Sequence, residues 1–541
     1  MKFFSSKYNF YKEKNYSNKN ILLIDRERFD ATILLSILAL ALNKKYKMNI
    51  IVLSDLKPNN IIIKIYKHLG FKKFLNGVTR LNYLKNFNLY FYSIIISIIT
   101  IFKIMNGGFA WFIQKFNIKD IPFGDLIYDT NVRFNHRYEN PKIDFYFIKL
   151  LIKSIFRILL ICKYLKKYDI KKLVTSTENY ALNSGLAIRI AIYKNIKHYF
   201  IGRSISGDLE IANLTKKGLF IGHDNIKNNE IYKKFKKFNP NNYKINKFYK
   251  DRKIKSNQSF SWTMDSFNNA NKKSILGNKF LNKLSNSKNK KILFAAHAFS
   301  DAPHQKGINY TFNDFYNQFE ETISFISKND SNNVWIFRSH PSSRLFNEQH
   351  IFKKIIKKYK MKNIFFCTSG VPIKKLYKIC DIVITGSGTV GLEFICEGKP
   401  AILAGSSGYS TKNLTPYYAK DKKKYFNFIK NIKKLKKLHE KLLASQNNLT
   451  IADFLSHNSK LRHVVRRAFI VEKFPYSEIQ DNTIGKSIMP IDMLRLKLSF
   501  FGALKFDPRS DKWLRICMFQ GAPLPSELKN YDEQWVYKAN I

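Results

Sequence analysis

The chain has 541 residues, 45% hydrophobic and 15% aromatic, which is enough apolar material for two or three packed domains and excludes a disordered polymer. Lys and Arg number 94 against 39 Asp and Glu, a formal net charge of +55, so the surface should attract anionic lipid headgroups, nucleic acid, acidic glycans or phosphorylated ligands. Five scattered cysteines (Cys162, Cys367, Cys380, Cys396, Cys517) form no CxxC pair and no even framework, which argues against a structural zinc site and fits a reducing compartment.

The N-terminus, Met1 to Asn20, is polar, aromatic and lysine-rich, without an apolar core followed by a small-residue cleavage site, so an export signal is not expected. Ile21 to Ile24 reads as a strand, Ala31 to Leu42 as a helix, Asn49 to Leu53 as a strand and Ile61 to Leu69 as a helix. This is a Rossmann-like opening without the GxGxxG turn of dinucleotide binders, and NAD or FAD is not expected there. The longest uncharged run, Asn86 to Phe102, is interrupted by Asn, Ser, Thr and Tyr and falls short of the roughly 20 apolar residues of a membrane span.

Ile143 to Lys163 reads as a long helix on which Lys149, Lys153 and Arg157 recur at every fourth position. That stripe fits either a solvated helix edge, the favoured reading, or a helix at a membrane interface with snorkelling cations. Lys172 to Ser176 follows as a strand and Leu182 to Ile192 as a helix. The first domain is therefore placed at residues 1–215.

Residues 216–290 are dense in Lys and Asn, with one cluster at Phe260 to Trp262, and read as a linker or insertion. Strand and helix then alternate again: Ile292 to Ala296, Phe312 to Ser327, Val334 to Phe337, Phe346 to Tyr359, Ile364 to Cys367, Ile373 to Ile379, Ile382 to Thr385, Val390 to Glu397 and Ala401 to Ala404. This second Rossmann-like domain is placed at residues 291–468, with a C-terminal extension at 469–541. The expected fold class is α/β, two Rossmann-like domains facing a cleft.

Three strand ends in the second domain carry candidate chemistry. Ile382-Val-Ile-Thr-Gly-Ser-Gly-Thr-Val-Gly-Leu-Glu393 runs from a strand through a glycine turn into a helix, which aims free backbone N–H groups and a positive helix end at the strand's carboxyl edge. Gly386 and Gly388 permit close backbone approach, Ser387 and Thr389 can cap the helix or bond phosphate, and Glu393 is placed to accept from ribose hydroxyls. The turn spells GxGxxG, but the next strand ends without an acidic residue, so NAD is not expected here either. Val334-Trp-Ile-Phe-Arg-Ser-His-Pro341 brings His340, a candidate general acid or phosphate donor, to the same edge, with Arg338 and Arg344 to neutralise phosphate. Phe294-Ala-Ala-His-Ala-Phe-Ser-Asp-Ala-Pro-His304 adds His297, Asp301 and His304 as ligands for donor or acceptor, or as an acid or base; no metal is expected. In the first domain Asp125, Asp129 and Glu178, with Arg133 nearby, are candidates to activate an acceptor, each also readable as a turn or helix cap.

The strand ending in His340-Pro341 and the run Thr385-Gly-Ser-Gly-Thr-Val-Gly-Leu-Glu393 with Gly398-Lys-Pro400 resemble bacterial capsule and surface-polysaccharide biosynthesis proteins of the GT-B type, including β-Kdo transferases. The likeness covers roughly residues 120–410 and is stronger in its second half. It implies a glycosyltransferase that uses a CMP- or UDP-linked sugar, with His340, Ser387 and Thr389 at the nucleotide phosphate. It further implies a glycan or lipid-linked acceptor and a cytoplasmic location peripheral to the inner membrane, in contact with its anionic lipids; no cofactor is implied. A nucleotide-sugar 2-epimerase and a non-catalytic membrane scaffold stay open as alternatives. A nucleic-acid partner is not expected, because the lysine excess is spread along the chain and no nucleic-acid-binding motif occurs.

Overall fold

The structure, a computed structural model, describes residues 16–214 and 284–435 apart from short internal stretches, together with Phe469–Ile470. The expected linker at 216–290, its Phe260 to Trp262 cluster, and nearly all of the 469–541 extension lie outside the described residues, as do Glu178, Pro341 and Arg344.

The first unit is laid down in chain order as β1 (Ser17–Ile24), α1 (Phe29–Tyr46), β2 (Met48–Ser54), α2 (Ile61–His68), β3 (Lys73–Asn76), α3 (Arg80–Lys85) and α4 (Phe87–Lys115). A short hairpin, β4 (Asn117–Ile118) and β5 (Ile121–Pro122), leads to α5 (Gly124–Asn135) and α6 (Phe145–Lys167). The unit closes with β6 (Ile170–Ser176), a π turn at Ala181–Gly185, α7 (Leu186–Tyr193), β7 (Lys197–Arg203) and β8 (Leu209–Leu214). β7, β6, β1, β2 and β3 are neighbours in that order and all parallel, the outcome expected of apolar strands joined by crossover helices. β8 adds an antiparallel strand beside β7.

The second unit contains β9 (Lys291–Ala295), a 3₁₀ turn at Pro303–Lys306, α8 (Phe315–Asn329), β10 (Val334–Arg338), α9 (Gln349–Lys358), β11 (Ile364–Cys367) and α10 (Ile373–Ile379). β12 (Ile382–Thr385), α11 (Thr389–Cys396), β13 (Ala401–Leu403) and α12 (Lys422–Lys430) complete it. The sheet is wholly parallel in the order β11-β10-β9-β12-β13, a doubly wound arrangement. Trp335, Phe337, Phe294 and Phe319 pack one face, while Ile336, Val383, Leu376 and Phe394 pack the other. The α/β class, with one mostly parallel and one wholly parallel sheet, is thus as expected. After the second sheet the chain returns to the first, where β14 (Phe469–Ile470) pairs antiparallel with β8.

Two stretches differ from the sequence reading. The run at Asn86 to Phe102 belongs to the 29-residue helix α4, which continues past Lys103 and breaks only at Gly108, where φ is 67°. Gly108 is the residue that tolerates this backbone, since a Cβ would be strained at positive φ. The Lys149, Lys153, Arg157 stripe on α6 is not one solvated or membrane-facing edge: Lys149 is exposed, Lys153 is half-buried and Arg157 is buried, its Nη1 2.5 Å from Oδ2 of Asp55. A cation on an apolar helix is retained here because a carboxylate at the end of β2 meets it.

Candidate functional site

In the second sheet the backbone register aligns the strand ends. Ala295 of β9 pairs with Arg338 of β10 on one side and with Thr385 of β12 on the other. His297, His340 and Ser387 each stand two residues beyond that row, so three strands deliver them to one level of the carboxyl edge. The strand order reverses between β9 and β12, and such a reversal opens a crevice between the flanking loops.

Around that reversal the side chains engage one another. The Ser387 N–H donates to Nε2 of His297 at 3.1 Å, which makes Nε2 an acceptor and leaves the proton of a neutral ring on Nδ1. The His297 ring stacks on Phe315, centroids 4.2 Å apart, and lies parallel to His340 at 6.2 Å. Tyr310 packs edge-on against Phe315 and donates to Gln318 at 2.5 Å. Gly386 is required by this crowding: a Cβ there would come within 2.7 Å of the Tyr310 hydroxyl and 3.0 Å of the His297 ring. A Cβ at Gly388 would meet Oγ1 of Thr385 at 2.9 Å. The buried hydroxyls of Thr385 and Ser339 have no hydrogen-bond partner among the described residues, so polar capacity is held in reserve at this edge.

His340 is half-buried, and burial pushes its pKa down to about 4, with Asp301 opposing and the Arg338 charge acting the same way. The ring is therefore neutral near pH 7. Asp301 is half-buried and accepts from the Ala302 N–H at 3.1 Å. Glu348, which the sequence reading did not single out, accepts the N–H groups of Phe299 and Ser300 and so holds the loop that follows β9.

Two predicted phosphate or ribose ligands are directed elsewhere. Arg338 alternates to the face of β10 shared with Ile336 and is buried, its charge acting on Cys367 and Tyr377 beneath α10. Glu393 is buried in α11, where the Tyr377 hydroxyl donates to Oε2. The expectation for Glu393 is revised to a contact within the α10 and α11 layer, whereas the Arg338 charge acts on that layer and on His340 at the edge. Thr389 starts α11 as expected.

The first unit reaches the same region through α5. Asp129 is buried and accepts twice from His304, from Nδ1 at 2.6 Å and from the backbone N–H at 3.1 Å. Desolvation raises the Asp129 pKa to about 6 against the pull of His304. Burial lowers that of His304, but the charges of Asp129, Asp125 and Asp314 outweigh it and leave His304 raised. The adjacent Tyr128 hydroxyl donates to Oδ2 of Asp314 at 2.5 Å, and Asp314 caps α8 by accepting from the Asn317 N–H. Two neighbouring residues of α5 thereby clamp the second unit. His304 also lies edge-on to Tyr310, which links this dyad to the glycine turn.

Asp125, one turn before Asp129, does not join them. Its carboxylate is fully buried and is held by both terminal nitrogens of Arg189, Nη2 to Oδ2 at 2.8 Å. The expectation that it activates an acceptor is revised to one of holding α5 against α7. Arg133, at the far end of α5, reaches Oγ of Ser300 at 3.5 Å.

Residues 226–426 match the family model described as "Capsule polysaccharide biosynthesis protein". The resemblance drawn from the His340 and glycine-turn motifs is thereby borne out, and the match begins inside the stretch expected to be a linker. No curated protein matches the chain. Among solved structures, a glycosyltransferase from Rickettsia africae aligns at 13% identity and a TM-score of 0.24, over 84% of this chain and 99% of its own. A UDP-GlcNAc 2-epimerase from Neisseria meningitidis aligns at 10% identity and 0.24, over 83% and 98%. KpsC of Thermosulfurimonas dismutans, a beta Kdo 2,7 transferase, aligns at 14% identity and 0.25, over 51% and 80%.

Proposed function

We propose that the chain is a glycosyltransferase of capsule or surface-polysaccharide synthesis that transfers a sugar from a CMP- or UDP-linked donor to a glycan or lipid-linked acceptor. The observation that carries this reading is the convergence of His297, His340 and Ser387 at the β9/β12 reversal, within a segment that matches the capsule family. The leaving nucleotide phosphate sits against the glycine turn. There the N-terminus of α11 supplies partial positive charge, and His340 and the Thr385 and Ser339 hydroxyls supply polar contacts.

On the opposite side His304, oriented by Asp129, takes the proton of the acceptor hydroxyl as that oxygen attacks the anomeric carbon. Both oxygens of Asp129 point at His304, so the carboxylate fixes the ring and supports the cation that forms. The acceptor side and the donor side are thus contributed by different units, and the contacts of Tyr128 and Asp129 hold them in register.

The test is thermal denaturation of the purified protein with CMP, CDP, UMP, UDP and GDP, alongside His340→Ala. Ligands that bind only the folded state raise its stability with the logarithm of their concentration over Kd. Selective stabilisation by cytidine or uridine nucleotides, lost in the variant, supports the reading and names the donor class. Indifference to all five overturns it. Free sugar released from the matching nucleotide sugar in the presence of acceptor glycans, with no glycan product, would move the assignment to the epimerase.

A further inference from the structure

Helix α4 carries apolar side chains on both of its sides. Its side toward the fold buries Ser93, Ser97 and Thr100, whose hydroxyls turn back onto the carbonyls of Tyr90, Ser93 and Ile96. Its other side exposes Phe87, Phe91, Ile98, Phe102 and Met105, each at half its surface or more, and Leu84 of α3 extends the row. Phe91, Ile98 and Met105 recur every seven residues and so form one stripe along the helix. Exposed apolar side chains arranged as one strip mark a surface that meets something apolar.

The charge around the stripe says what that is. From Leu56 to Lys119 the sequence holds nine Lys and one Arg and not a single Asp or Glu. Lys103 sits beside Phe102, and Phe145 and Tyr146 at the start of α6 are exposed next to Lys149, whose Nζ lies 5.9 Å from the Phe145 ring. Aromatic and aliphatic side chains bordered by unopposed cations fit an anionic bilayer surface, where the apolar face enters the acyl boundary and the lysines meet headgroups. A second copy of the same helix would bring its own lysines and no carboxylate to pair with them. A membrane span is disfavoured by the face already packed on α6, where Tyr90 meets Phe156 edge to face.

We propose that the exposed face of α4 docks the protein onto an anionic lipid bilayer, the helix lying in the plane of the interface. The inference does not depend on the transferase reading, since an inactive protein with this face would dock equally. It does give that reading a geometry: beyond Gly108 the helix packs Phe109 against Tyr128, 5.6 Å between centroids, so the docked helix abuts the one that carries Asp129.

The experiment is flotation of the full chain with phosphatidylcholine vesicles, with and without phosphatidylglycerol, for the wild type and for Phe91→Gln/Ile98→Gln/Phe102→Gln. The wild type is expected to float only with the anionic vesicles and to be released by salt. The triple variant should bind at least about tenfold more weakly with an unchanged thermal midpoint, because the replaced side chains are exposed. A Lys85→Glu/Lys103→Glu variant tests the charge part and should likewise float less. Equal flotation of the triple variant, or none by the wild type, overturns the proposal. So does a wild-type dimer that the triple variant converts to a monomer, which would assign the stripe to a second copy.

Discussion

His297 and His340 lie with their ring planes 5° apart and their centroids separated by 6.2 Å, and His297 faces the backbone N–H of Ser387. His297 accepts from Ser387, whereas His340 is held neutral by burial, with a pKa near 4. An anion placed beside His340 favours its protonated form and raises that pKa.

Nucleotide binding should therefore take up a proton. Between pH 4 and the higher pKa of the complex, affinity is expected to rise as pH falls, because free His340 is neutral there and the bound form is not. Calorimetric titration in buffers of different ionisation enthalpy measures the uptake directly. It should vanish in His340→Gln, and equal uptake in that variant would remove His340 from the phosphate site.

The Asp129 and His304 dyad makes a second prediction. His304→Gln and Asp129→Asn are each expected to lower kcat by roughly 100- to 10,000-fold with little change in donor KM, since neither group touches the nucleotide. The pH profile separates their roles. Asp129 helps to raise the pKa of His304, so Asp129→Asn should move the acidic limb of kcat to lower pH while retaining some rate. An unmoved limb would show that His304 is not the titrating base.

Gly386 is predicted to tolerate no side chain. In Gly386→Ala the new methyl meets the Tyr310 hydroxyl, the Phe315 ring and the His297 ring, all within 3.0 Å. These side chains must shift, at a cost of about 1–3 kcal/mol in stability, and the His297 bond to Ser387 goes with them. Nucleotide affinity should fall by more than the thermal midpoint implies. Substitution without effect on binding would place the ligand elsewhere.

The strand ends were legible from sequence because each is an apolar run that stops at a polar cluster, and parallel strands of one sheet must end on one edge. Ile364–Cys367, Ile373–Ile379 and Ile382–Thr385 coincide with the elements formed. Partners were not legible. Asp125 and Asp129 look alike on one helix, and what separates them is Arg189, 64 residues on, and His304, 175 residues on. Glu393 was assigned to the open edge from proximity in sequence, whereas helix phase turned it to the Tyr377 hydroxyl in the α10 and α11 layer. In α4 the end of the uncharged run at Lys103 hid the length of the helix, since a single lysine can snorkel without ending it.

The ion pair between Arg157 and Asp55 yields an asymmetric stability prediction. Arg157 is 3% exposed and Asp55 26%, so the guanidinium depends on its partner far more than the carboxylate does. Oδ1 of Asp55 also accepts from the Val78 N–H at 2.7 Å, which ties the end of β2 to the turn after β3. Asp55→Asn takes the countercharge from a buried cation and should cost about 3–5 kcal/mol. Arg157→Met removes the buried charge itself, keeps the aliphatic packing of α6 and leaves a carboxylate that water reaches, so its cost should be smaller, roughly 1–2 kcal/mol. Urea unfolding of the two variants measures both values. Equal losses would mean that the guanidinium is less dependent on Asp55 than its burial indicates.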